Sequence, residues 1–122
     1  MFKLLNIAIL VIGMNGIQSL AADAGFKCAP KGTVDQVSKG KQLYTVNCMT
    51  CHGAKADGLG DAGKYMSPKP RNLVKEKFKN GETTDALFTT MTKGLDGTGM
   101  SGFPTLSNED RCSLVYYVQS LR

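Results

Sequence analysis

Eight residues decide how this chain is read: Val46-Asn47-Cys48-Met49-Thr50-Cys51-His52-Gly53. Two thiols and an imidazole at this spacing can serve a zinc site, a thiol redox centre or the covalent attachment of haem. Zinc needs about four ligands, and Cys48, Cys51, His52, Cys28 and Cys112 could supply them. Adjacent residues such as Cys51 and His52 rarely point at one metal, however, and the chain does not repeat the paired spacing of structural zinc sites. A thioredoxin-like centre needs a strand before the motif and alternating strands and helices around it; no run of β-branched residues is present to build them. Haem attachment uses every residue of the motif. Two thiols on one helical turn can each form a thioether to a haem vinyl group, and the histidine that follows then sits below the iron as proximal ligand.

The start of the chain supports that chemistry. Lys3 precedes the apolar run "LLNIAILVIGM", and small residues follow in "SLAADA". This is the pattern of an export signal, cleaved after Ala21 or Ala24, and c-type haem is attached outside the cytoplasm. The run is broken by Asn6 and Asn15 and falls short of the roughly 18 apolar residues of a spanning helix, so residues 1–21 read as a signal peptide and the mature protein has no membrane span. About 100 residues remain, enough for one domain whose core is marginal if side chains alone must build it. A bound group inside would help.

The whole chain carries 15 Lys+Arg against 10 Asp+Glu. Without the leader, 14 basic residues face 10 or 9 acidic ones, a net charge of +4 or +5. Such a surface suits an acidic partner or an anionic membrane, or serves simply as a solvated cationic face. No aromatic-interleaved basic patch points to nucleic acid.

His52 is the only histidine, which removes bis-histidine ligation. Four methionines lie beyond the leader: Met49, Met66, Met91 and Met100. Met49 is inside the attachment turn. Met91 follows Leu87 and Phe88 at helical spacing and reads as core. Met66 lies in a loop before "PKPRNL". Met100 stands in "GLDGTGMSGFPTL", a glycine-rich loop with Pro104 that cannot be regular helix; it is the strongest candidate for the distal ligand, and thioether ligation raises a haem's reduction potential.

Three segments, "GKQLYTVNCMTCHG", "PKPRNL" and "GMSGFPTLSNEDRCSLVYYVQSL", together resemble the class I c-type cytochromes, the small periplasmic monohaem electron carriers of bacteria. The likeness runs from about Val34 to Leu121. It implies an all-α cytochrome c fold over residues 28–122, three to four short helices wrapped around one covalent haem c. Cys48 and Cys51 would carry the thioethers, with His52 and Met100 as proximal and distal iron ligands. It also implies that Gly40 and Tyr44 on the first helix meet Leu114 and Tyr117 on the last. A proline carbonyl after the motif, at Pro70 or alternatively Pro68, would accept the hydrogen bond of the proximal imidazole. Arg71 could contact a propionate.

The remaining organisation follows from local signals. A polar lead-in, "GFKCAPKGTVDQ", precedes a first helix through "VSKGKQLYTVNC"; a middle helix spans about Thr84 to Lys93 and stops at Gly94. A last helix begins after Ser107, which caps it with Asp110 in the box position, and presents Leu114, Val115, Val118 and Leu121 on one stripe. In an exported protein Cys28 and Cys112 can pair, and helices that cross as the family's do would bring them near; a buried free thiol or an intermolecular pair are the alternatives. The expected function is a periplasmic electron carrier, a monomer without enzymatic turnover, serving redox partners with acidic docking surfaces. Lys39, Lys41, Lys64, Lys69 and Lys93 are candidates for that docking face. The competing readings are a haem subunit bound to a periplasmic oxidoreductase, and an open-site haem sensor or peroxidase.

Overall fold

The computed structural model describes residues 25–122; the signal peptide expected over 1–21 lies outside them. Among the described residues there are four α-helices and no strand: α1 (Val34–Asn47), the single turn α2 (Met49–His52), α3 (Thr84–Lys93) and α4 (Asn108–Ser120), with a short 3-10 turn at Gly63–Tyr65. No helix among them is long and apolar enough to cross a membrane.

Helix α1 starts three residues earlier than "VSKGKQLYTVNC" suggests. Thr33 accepts a hydrogen bond from the Gln36 amide while the Gln36 side chain accepts one from the Thr33 amide, so a reciprocal capping box satisfies two otherwise orphaned donors. Helix α3 has the expected bounds: the Thr83 hydroxyl caps it, and Gly94, at φ 77°, ends it with a conformation that suits glycine. Ser107 caps α4 by accepting from the Asp110 amide, and the Asp110 carboxylate turns away to Lys39 on α1, 2.5 Å off.

The framework is the crossing of α1 and α4. Gly40 is buried with its Cα against the Ser113 carbonyl and the Tyr117 side chain, where any Cβ would collide with backbone. A single missing side chain sets the approach of the two helices. One turn on, the Tyr44 and Tyr117 rings pack at 5.3 Å between centroids, tilted by 59°, and Leu114 completes the contact. On its other side α4 meets α3, where Leu87, Phe88 and Met91 pack with Val115 and Val118. Leu114 and Val115 are fully buried.

A disulfide joins Cys28 to Cys112, with Cα atoms 5.6 Å apart. It fastens the lead-in to the first turns of α4, and Tyr116 adds a hydrogen bond to the Ala29 carbonyl at 2.9 Å. The zinc reading of the sequence thereby loses two of its five candidate ligands.

Candidate functional site

Cys48 ends α1, and Cys51 and His52 lie on the turn that follows. That turn is fixed from outside itself. The carbonyls of Thr50, Cys51 and His52, which a four-residue helix cannot satisfy, accept hydrogen bonds from the amides of Ala62, Gly60 and Gly58. The "GAKADGLGDAG" loop therefore folds back over the motif, and Gly60 and Gly63 are needed because a Cβ on either would strike the Cys51 carbonyl. Beneath, the buried Tyr44 hydroxyl donates to the Gly53 carbonyl at 2.6 Å, and burial holds that phenol well above its ordinary range.

The motif faces a cavity of about 490 Å³, inside the range of about 300–1,000 Å³ typical of cofactor pockets. Cys48, Cys51 and His52 form one part of its wall, and Met66, Met91 and Met100 reach it from three other segments. Leu73, Phe78, Leu87, Leu95, Phe103 and Val118 make the rest mostly apolar.

His52 Nδ1 lies 3.0 Å from the Arg71 carbonyl oxygen. A carbonyl only accepts, so Nδ1 carries the proton and Nε2 keeps its lone pair. Burial lowers the imidazole's pKa, partly opposed by this hydrogen bond, so the ring is neutral and suited to bind iron. The acceptor is a correction to the expectation of Pro70 or Pro68. Those prolines line the cavity, but the Pro70 carbonyl is turned toward Gly58, and the next carbonyl along the chain faces the imidazole. The Arg71 guanidinium donates to the Lys77 carbonyl at 2.7 Å, an engagement that the sequence did not suggest.

The thiols of Cys48 and Cys51 are free. Burial, and then the neighbouring Cys51, push the Cys48 thiol up to about 12. Redox-active CxxC pairs depend on the opposite shift, a stabilised thiolate, so the environment disfavours the thioredoxin-like reading. The donor set (two unoxidised thiols, one neutral imidazole and thioether sulfurs on an apolar wall) fits a covalently held haem.

Met100 is half-buried on a short closed loop. The end of α3 and this loop are tied by Leu95 N to Met100 O at 3.0 Å and by Phe103 N to Met91 O at 2.9 Å, while the Met100 amide donates to the Thr98 hydroxyl at 3.1 Å. Met91 is buried in the core on α3. Met66 rests its methyl on Gly99, next to Met100, so that an added Cβ there would have to push the flexible end of Met66 aside.

An all-helical domain whose CxxCH turn opens on an apolar cavity with a methionine loop defines a c-type haem protein. The chain belongs to the cytochrome c family, whose model matches residues 37–122. It is 34% identical to cytochrome c-554(547) of Halothiobacillus neapolitanus over 95 residues, covering 68% of this chain and 93% of that one. It is 33% identical to the cbb3-type cytochrome c oxidase subunit FixP of Rhizobium meliloti, over 70% of this chain but 27% of that one. The cytochrome bc1 complex cytochrome c subunit of Corynebacterium diphtheriae is 34% identical over 47% of this chain and 22% of its own length. This chain thus spans about a quarter of those two larger subunits. Among solved structures, a chain of the Kuenenia stuttgartiensis reducing HAO-like protein complex matches 81% of this chain and 48% of its own at a TM-score of 0.71 and 31% identity. As a family member the protein binds haem c covalently, and Cys48 and Cys51 fit the attachment motif.

Proposed function

We propose that this protein is a periplasmic carrier that passes single electrons between respiratory redox partners, with His52 and Met100 as the axial ligands of its one haem c. The observation that carries the reading is the joint placement of Cys48, Cys51, His52 and Met100 on one mostly apolar cavity. Haem c supplies the Fe(II)/Fe(III) couple. The protein's part is to hold it. Cys48 and Cys51 anchor it covalently, the Arg71 carbonyl orients His52 and raises its basicity, and the Leu87, Phe103 and Val118 side chains keep water from the cavity. Two strong axial ligands leave no site for substrate, so the reading includes no turnover of its own.

Docking would use the cationic rim. Among the lysines singled out in the sequence, Lys39 pairs with Asp110 and Lys64 with Asp61, whereas Lys69 lies on the cavity wall, joined there by Lys79. An acidic partner surface is the complement of such a rim.

A second reading, a subunit held in an oxidoreductase complex, is favoured by the similarity to subunits of a bc1 complex and a cbb3-type oxidase, while the near-complete coverage of cytochrome c-554(547) favours a free carrier. Gel filtration of native extract, followed by redox titration of the haem-containing fraction, separates them. A carrier elutes at monomer size and titrates as a reversible one-electron centre. Elution only with a much larger complex would replace it with the subunit reading.

A further inference from the structure

We propose that Arg122 is a positioning residue for the cofactor cavity: its guanidinium, beyond the end of α4, holds the 76–82 segment closed as a cavity wall. This inference rests on the haem-carrier reading for its effect on potential, but not for the clasp itself.

The segment between Leu73 and Thr83 has no helix or strand of its own, yet Glu76, Phe78, Lys79 and Asn80 line the cavity. Backbone of this kind opens at low free energy unless it is held from outside. Arg122 holds it at three points. Nη1 donates to the Glu76 carbonyl at 2.7 Å, Nη2 lies 3.2 Å from the Glu82 carboxylate, and the guanidinium carbon sits 4.6 Å from the centre of the Phe78 ring. Only arginine has a planar fork able to donate twice and stack at once. From the cavity side, Arg71 donates to the Lys77 carbonyl, and its own carbonyl accepts from His52. Two guanidinium groups thus grip three consecutive residues of this segment, one from the C-terminal helix end and one from beside the proximal imidazole.

Arg122 itself does not line the cavity, so its action is through Phe78 and the wall backbone. Releasing the wall admits water and raises the local polarity. A more polar surrounding favours the more highly charged ferric state, and the reduction potential falls.

The test is hydrogen exchange of the native holoprotein, read on segments 76–82 and 108–120, together with the reduction potential, in wild type, Arg122→Ala and Arg122→Lys. Exchange over 76–82 should rise about tenfold in Arg122→Ala, with α4 unchanged and the potential lowered, and Arg122→Lys should fall between because a lysine keeps only the ion pair. Glu82→Gln, which leaves the carbonyl and ring contacts in place, should show a smaller rise of the same sign and serves if Arg122→Ala does not fold. Wild-type exchange over 76–82 in the variants would overturn the proposal. So would an equal rise across α4, or an unchanged potential beside a loosened wall. A wild type lacking a low-spin haem c spectrum would instead sink the carrier reading, while the exchange comparison would still report on the clasp.

Discussion

The Arg71 carbonyl accepts the Nδ1 proton of His52 across 19 residues of sequence, and that single bond selects the tautomer whose Nε2 can bind iron. Its position depends on the "PKPRNL" loop rather than on the motif. The Ala56 carbonyl receives the Leu73 amide at 2.8 Å, which keeps Arg71 facing the imidazole.

Replacing Tyr44 with Phe removes one of two donors to the Gly53 carbonyl, which keeps only the Ala56 amide at 3.1 Å. The expected cost is about 0.5–1.5 kcal/mol, the net worth of one hydrogen bond, measured by denaturant unfolding of the holoprotein. A variant as stable as wild type would show that the Ala56 amide alone satisfies the Gly53 carbonyl.

At the α1–α4 crossing, Gly40→Ala places a methyl against the Ser113 carbonyl. Backbone cannot step aside as a side chain can, so a loss of about 2–3 kcal/mol or more is expected. Ser38→Ala, exposed on the same helix, should change unfolding by less than about 0.5 kcal/mol and provides the control.

The glycines near Met100 should differ from each other. A methyl at Gly99 meets only the mobile end of Met66, whereas one at Gly102 meets the Thr92 carbonyl. Gly99→Ala should therefore cost less than about 1 kcal/mol, and Met66→Ala should relieve much of that loss in a double-mutant cycle. Gly102→Ala should be the more damaging in the same unfolding assay; the reverse order would contradict the packing described for this loop.

The Cys28–Cys112 disulfide lies outside the cavity lining. Replacing both cysteines with serine should lower stability by about 2–5 kcal/mol and leave the visible spectrum as it was. A changed spectrum would mean that the lead-in reaches the cofactor site in a way the contacts do not show.

Much of this was legible in the sequence. The CxxCH spacing, the Ser107 cap and the apolar stripe of α4 are local signals, and each places its element within a residue or two. The start of α1 was also legible, since Thr33-Val34-Asp35-Gln36 has the capping-box pattern, but the polar lead-in masks it. What the sequence does not carry is backbone direction. Nothing distinguishes the Arg71 carbonyl from that of Pro70 until the loop is folded, because every residue has one. The Arg122 clasp is hidden for a related reason: its partners, 40 to 46 residues away, are a backbone carbonyl, an exposed carboxylate and a ring with no shared pattern.

The central claim is ligation by His52 and Met100, and the most direct test is the visible spectrum of the ferric holoprotein. The weak long-wavelength band that reports iron to methionine-sulfur bonding should be present in the wild type and in Met66→Ala, and lost in Met100→Ala. A band that survives Met100→Ala, or that is absent from the wild type while the ferrous protein binds carbon monoxide readily, would contradict the account.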